Sequence, residues 1–152
     1  GLALVPTAFL FGLALAFDKD PRLQPFVMAA YRDEIDPRVG KLPARLDELE
    51  IQAERLHLQE SSKRDAVHVA KVREDLQALV GNAKDELKWV EKSTPSTPTQ
   101  TLRERGKALV DALIPYSEAL EKHAAGEVVP KMNDLRQTWQ EARSAWMKVA
   151  AK

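Results

Sequence analysis

Apolar residues recur at alternating steps of four and three along two long stretches of this sequence. The first stretch carries Leu42, Leu46, Leu49, Ala53 and Leu56, and the pattern resumes in a shifted phase from Val69 to Val90. The second runs from Leu102 to Ala124 and again from Val128 to Val149. Such spacing places the apolar side chains on one seam of an α-helix. The sequence therefore predicts an all-α fold.

A cluster of Ser, Thr and Pro separates the two stretches. Residues 93–100 read STPSTPTQ, a composition typical of a turn that no helix crosses. The flanking arms, 42–92 and 101–151, have equal length, so that a chain folded back at this turn would place residue i opposite residue 192 minus i. We expect residues 42–152 to form a long antiparallel helical hairpin.

Each predicted arm contains one break in its pattern. The first is the polar stretch 60–65, and the second contains Gly126 and Pro130. In the hairpin register the two breaks lie at the same level. We favour an unbroken helix through 60–65; the alternative is a corner at which Ser62 caps the next helix. Corners at both breaks would fold the hairpin into a four-helix bundle.

The first seventeen residues, GLALVPTAFLFGLALAF, contain no charged side chain. All 46 charged residues lie in the other 135 positions. As a helix, residues 1–17 would measure ~25 Å, close to the ~30 Å hydrocarbon core of a bilayer. We expect a transmembrane helix over 1–17; a secretory signal peptide and an apolar core helix are the alternatives.

Residues 18–41 are expected to be a linker with a short interfacial helix. Asp18, Asp20 and Pro21 end the apolar run, and FVMAAY follows at 26–31. This patch suits a helix at the level of the lipid headgroups, with Tyr31 as its amphipathic residue. The alternative is a small strip of core.

Composition removes several classes of function. The chain has no Cys, which excludes disulfides, thiolate metal sites and cysteine nucleophiles. Its formal net charge is zero, so no overall attraction to nucleic acid is expected. Phosphate-binding loops and hydrolase motifs are missing from the sequence. We expect no catalytic residues, no cofactor, no small-molecule substrate and no nucleic-acid partner.

Two histidines follow an acid by three residues, as in Glu54/His57 and Asp65/His68. On a helix this spacing brings a carboxylate and an imidazole to one face, as in metal-binding helical bundles. Solvated helix surface is the favoured interpretation, and a metal site at these four residues is the alternative.

Some apolar residues lie off the main seam, where a two-helix hairpin would leave them uncovered. Together with Trp89, near the turn, they are the predicted partner contacts: Ile51, Leu58, Val80, Val110 and Ile114. Trp139 and Trp146 share the seam and are expected inside.

These features lead us to expect a non-catalytic structural or assembly subunit of a larger membrane protein complex. Its partners would be other subunits and, through residues 1–17, the lipid bilayer. Basic residues that follow the apolar run favour an organellar or bacterial inner membrane, with the helical part on the matrix, stroma or cytoplasmic side. The alternatives are a soluble helical-bundle adaptor and a helical-bundle metal-binding protein.

Overall fold

The computed structural model describes residues 22–93 and 99–150. Those residues form five α-helices and no strand, which confirms the all-α prediction. The helices are α1 (Gln24–Val39), α2 (Leu42–Leu58), α3 (Ala66–Lys92), α4 (Gln100–Ala124) and α5 (Met132–Ala150). Helices α2 to α5 pack against one another as a four-helix bundle.

The chain reverses between α2 and α3, so the predicted unbroken helix through 60–65 is wrong. Helix α2 ends at Leu58, and α3 begins after Asp65, whose side chain accepts a hydrogen bond from the Val67 backbone N–H at 3.0 Å. Asp65, rather than Ser62, is therefore the cap of α3. Ion pairs at 3.4 to 3.7 Å, between Arg45 and Asp75 and between Lys41 and Glu86, join the two antiparallel segments.

Arg64 makes this corner stable. Its guanidinium donates hydrogen bonds to the carbonyl oxygens of Leu56, His57 and Gln59, at 2.8, 3.2 and 2.7 Å respectively. The last carbonyls of a helix have no partner within the helix, and a cation also opposes the negative end of its dipole. The Arg64 side chain thus supplies the hydrogen-bond donors that a further turn of α2 would have provided.

The second break is also a corner, and the two corners meet. Residues 125–131 join α4 to α5, and Gly126 has a φ of +90°. The nearest side chain to its missing β-carbon is that of Arg64. Farther along the bundle, two ion pairs connect α2 to α5. Asp47 pairs with Arg143 and Glu54 pairs with Arg136, and the two residue numbers in each pair add up to 190. These two pairs lie within two positions of the register in which residue i is opposite residue 192 minus i, although both arms are bent.

Helix α4 lies at the centre of the molecule. It packs against each of the other four helices, and twelve of its residues are buried. Helix α2 runs parallel to α4, because Glu50 meets Tyr116 and His57 meets His123, with 66 residues between the partners in both cases. A central helix needs a wider apolar face than a hairpin arm, and α4 supplies it.

Helix α1 is part of the core and longer than the expected interfacial helix. Its buried residues recur every four positions: Val27, Tyr31, Ile35 and Val39. Tyr31 is only 4% exposed and forms a 2.9 Å hydrogen bond with Ser93, at the end of α3. Because this stripe packs on α3 and α4, Tyr31 is part of a strip of core, as the alternative interpretation of this segment expected.

The expected transmembrane segment, 1–17, lies outside the described residues. Across 22–93 and 99–150, no helix is both long enough and apolar enough to cross a bilayer.

Candidate functional site

Four polar residues of α2 share one face and point toward α4 and α5. Their spacing of three, four and three follows the helical repeat, and they form the polar face of α2: Asp47, Glu50, Glu54 and His57. Each of the four side chains makes a hydrogen bond to α4 or α5.

Two arginines of α5 meet the acids of this face. Arg143 binds Asp47 through two parallel N–H···O bonds of 2.5 and 2.6 Å, the bidentate geometry that guanidinium and carboxylate favour. One heptad earlier, Arg136 donates to Glu54 at 2.7 Å. The bond to Asp47 raises the pKa of Arg143. These two pairs connect α2 to α5, whose backbones make few direct contacts.

Tyr116 links the same group to the central helix. Its side chain is fully buried, its hydroxyl donates to Glu50, and it accepts from Arg136 Nε at 3.1 Å. Burial raises the pKa of Tyr116, and the bond to Glu50 raises it further, because both favour the protonated phenol. The carboxylates of Glu50 and Glu54 therefore already accept bonds from neighbouring helices, and the arrangement holds three helices in register.

Two histidines stack at the corner end of the polar face. The ring centroids of His57 and His123 lie 3.6 Å apart at an interplanar angle of 13°. His57 Nδ1 is 3.0 Å from the His123 carbonyl oxygen, whereas His123 Nε2 lies 3.1 Å from Glu54 Oε2 without making a hydrogen bond.

This geometry does not form the metal site that the sequence offered as an alternative. The lone pairs of parallel imidazoles lie in separate planes and do not converge on one ion. In the second candidate pair, His68 is exposed and Asp65 caps α3. Within the part of the chain that the structure describes, no group of three or more His, Cys, Asp or Glu is placed to hold a metal ion.

The predicted partner contacts separate into exposed and internal residues. Ile51 is 53% and Leu58 is 80% exposed, as a contact surface requires. Val80 and Val110 are buried, and Ile114 is half-buried against the core, so these three are covered by other helices. The reason is that α1 and α2 cover faces of α3 and α4 that a two-helix hairpin would leave open.

Trp89 is half-buried and packs against α1. Its ring stacks on Tyr31 with centroids 6.1 Å apart, and the guanidinium carbon of Arg38 lies 4.6 Å from its ring centroid. Both partners belong to α1. Trp89 therefore fixes α1 to α3 through an aromatic and a cation–π contact.

A second surface is found where the two corners meet. Three apolar side chains near these corners are between 78% and 86% exposed: Leu58, Val67 and Val128. We call residues 54–70 and 120–136 the corner end of the bundle. A groove of about 450 Å³ lies at this end, lined by apolar residues, two lysines and one glutamate: Pro115, Glu118, Ala119, Lys122, Val129, Pro130, Lys131 and Leu135. Sequence reasoning missed this surface because it placed Val128 on the buried seam.

Comparisons with protein families, with curated proteins and with solved structures found no match to this chain.

Proposed function

We propose that this chain is a non-catalytic structural or assembly subunit of a larger membrane protein complex, acting through helix–helix contacts. The observation that carries the proposal is the exposure of Leu58, Val67 and Val128 at the corner end. Large apolar side chains grouped on a surface are typical of sites where another protein binds.

The position of this end relative to the N-terminal segment supports the proposal. The charge-free residues 1–17 precede α1, which packs beside the end of α3 at Ser93. The corner end lies at the start of α3, a helix of 27 residues and therefore ~40 Å long. A chain anchored by residues 1–17 would carry its exposed apolar group away from the bilayer, on the matrix, stroma or cytoplasmic side.

The polar groups of the bundle agree with a structural role. Asp47, Glu54 and Tyr116 are each bonded to another helix, and each bond joins elements that are distant in sequence. These bonds hold the corner end and the opposite end in a fixed relation, as a subunit that positions partners requires.

Purification from native membranes tests the proposal. We compare the wild-type chain with a variant carrying Leu58→Gln, Val67→Gln and Val128→Gln, and with a Met147→Gln control that changes an exposed apolar residue elsewhere. The corner-end variant is expected to keep its helicity by circular dichroism and to lose the subunits that co-purify in fixed stoichiometry. The control is expected to keep them.

Two results would contradict the proposal. The first is a corner-end variant that retains every co-purifying subunit. The second is a wild-type chain that stays monomeric without detergent and protects residues 1–17 from proteolysis, which would favour the soluble adaptor.

A further inference from the structure

We propose that the end of the bundle opposite the corners is a docking surface for anionic lipid headgroups. This inference rests on the proposed function, because residues 1–17 would bring that end to the bilayer. We call it the α1 end and define it as residues 22–34, 88–93, 99–105 and 146–150.

Contacts from four helices place these segments together. Tyr31 of α1 binds Ser93 after α3, and Arg32 donates to the Val149 carbonyl oxygen of α5 at 3.4 Å. On α4, a β-carbon at Gly106 would lie 2.9 Å from Ile35 and 3.2 Å from Trp146, so the start of α4 is in close contact with α1 and α5. The start of α1, the end of α3, the start of α4 and the end of α5 therefore form one surface.

Charge is distributed unequally between the two ends of a neutral chain. The α1 end holds seven basic and four acidic residues, whereas the corner end holds six of each. Five of the bases at the α1 end are exposed: Arg22, Lys88, Lys92, Arg105 and Lys148. Basic side chains beside a membrane-spanning segment are attracted to anionic lipids.

Exposed apolar groups lie among these bases. Phe26 is 73% exposed near the start of α1, and Met147 is 57% exposed near the end of α5. An aromatic side chain with basic neighbours suits the boundary between headgroups and acyl chains. Phe26 follows the charge-free segment by nine residues, so the two apolar features are close in sequence.

The absence of Cys allows a single fluorescent label to report which end approaches the lipid. Ala29→Cys places it at the α1 end and Ser62→Cys at the corner end, both at exposed positions. The labelled full chain is reconstituted into vesicles of phosphatidylcholine alone, or with about 30% phosphatidylglycerol, and iodide quenching is measured.

On the anionic vesicles we expect the quenching constant at Ala29→Cys to fall about threefold relative to neutral vesicles, because bound headgroups cover this end. The constant at Ser62→Cys is expected to stay the same. Salt at about 0.5 M should abolish the difference, since it screens interactions beyond a few ångströms.

Two triple variants test whether the protection at Ala29→Cys depends on the bases of the α1 end or on the net charge of the chain. The test variant carries Lys92→Gln, Arg105→Gln and Lys148→Gln. The matched control carries Arg55→Gln, Arg73→Gln and Lys131→Gln, which remove the same charge at exposed positions near the corner end. The test variant should lose the protection at Ala29→Cys, and the control should keep it.

The results distinguish this inference from the proposed function. Three results would overturn the docking surface. They are equal quenching at Ala29→Cys on both vesicle types, an equal loss of its protection in the test and control variants, and protection at Ser62→Cys. If the wild-type chain did not float with neutral vesicles, this result would instead contradict the proposal that residues 1–17 anchor the chain. Protection on anionic vesicles that depends on Lys92, Arg105 and Lys148 would then still support the docking surface.

Discussion

The guanidinium of Arg64 occupies the space that a β-carbon at Gly126 would need. Arg64 belongs to the corner between α2 and α3, and Gly126 belongs to the corner between α4 and α5. The pair therefore joins the two reversals of the chain at one point. It also explains why a glycine is needed there, since the φ of +90° is disfavoured for any residue with a side chain.

Replacing this glycine should destabilise the bundle. Gly126→Ala places a methyl group against a guanidinium that three carbonyls hold in place, at a backbone conformation unfavourable for alanine. We expect the free energy of unfolding to fall by about 1–3 kcal/mol, measured by urea denaturation.

Gly81 provides the matched control for that substitution. It lies exposed within α3, and a β-carbon there would have no neighbour within 4 Å. Gly81→Ala should raise the free energy of unfolding by about 0.5–1 kcal/mol, because alanine loses less backbone entropy in a helix. Similar effects at the two glycines would show that Arg64 does not constrain the corner.

The junction of α1, α4 and α5 should be sensitive to one added carbon. Gly106→Ala gains helix propensity, but its β-carbon would meet Ile35 Cδ1 at 2.9 Å and Trp146 at 3.2 Å. We expect a net loss of about 1 kcal/mol, since overpacking typically costs about 1–3 kcal/mol. Ile35→Val deletes the Cδ1 atom, so Gly106→Ala should be less harmful in the Ile35→Val background. Additive effects of the two substitutions would contradict this packing.

The ion pair between Asp47 and Arg143 should contribute modestly to stability. Its side chains are 41% and 32% exposed, so water screens much of their attraction. A double-mutant cycle with Asp47→Ala and Arg143→Ala should give a coupling energy of about 0.5–1 kcal/mol that decreases with salt. The neighbouring Arg45–Glu48 pair within α2 is more exposed and should couple more weakly. A larger coupling for Arg45–Glu48 would contradict this order.

Stability should fall in alkaline solution because of the two tyrosines. Burial raises the pKa of both Tyr31 and Tyr116 above 10.0, so the folded chain keeps protons that the unfolded chain releases. The effect is absent below about pH 10 and grows above it, by up to about 1.4 kcal/mol per pH unit for each tyrosine. Urea denaturation from pH 9 to 11 measures this slope, which Tyr116→Phe should make shallower. An unchanged slope would show that Tyr116 does not retain its proton.

Much of the core could be predicted from spacing alone. All five seam residues of α2, from Leu42 to Leu56, are buried, and so are those of α4 from Leu102 to Ala124. One helix also ends at Lys92 and the next begins at Gln100, as the composition of this stretch indicates. Periodicity succeeds in these places because it reports which face of a helix is covered, whatever covers it.

The corner at 59–65 and the polar face could not be predicted in the same way. A polar stretch without Gly or Pro is compatible with a continuous helix, and the corner forms because Arg64 reaches back to carbonyls of α2. Likewise, Glu50 and Tyr116 lie 66 residues apart, and only the bent arms bring them together. Val110 is buried because α4 became central, which depends on the fold as a whole.

Arginine capping of helix ends has a consequence for the order in which the chain is completed during synthesis. Helix α2 receives its cap from Arg64, and α3 receives one from Arg103, which donates to the carbonyl oxygens of Val90 and Glu91 at 3.0 and 3.1 Å. Both arginines are translated after the helix that they cap. The last carbonyl oxygens of each helix therefore lack their arginine donor until the ribosome has added the following segment. The end of α5 is different, because its partner, Arg32, lies 117 residues earlier in the sequence and is synthesised before α5.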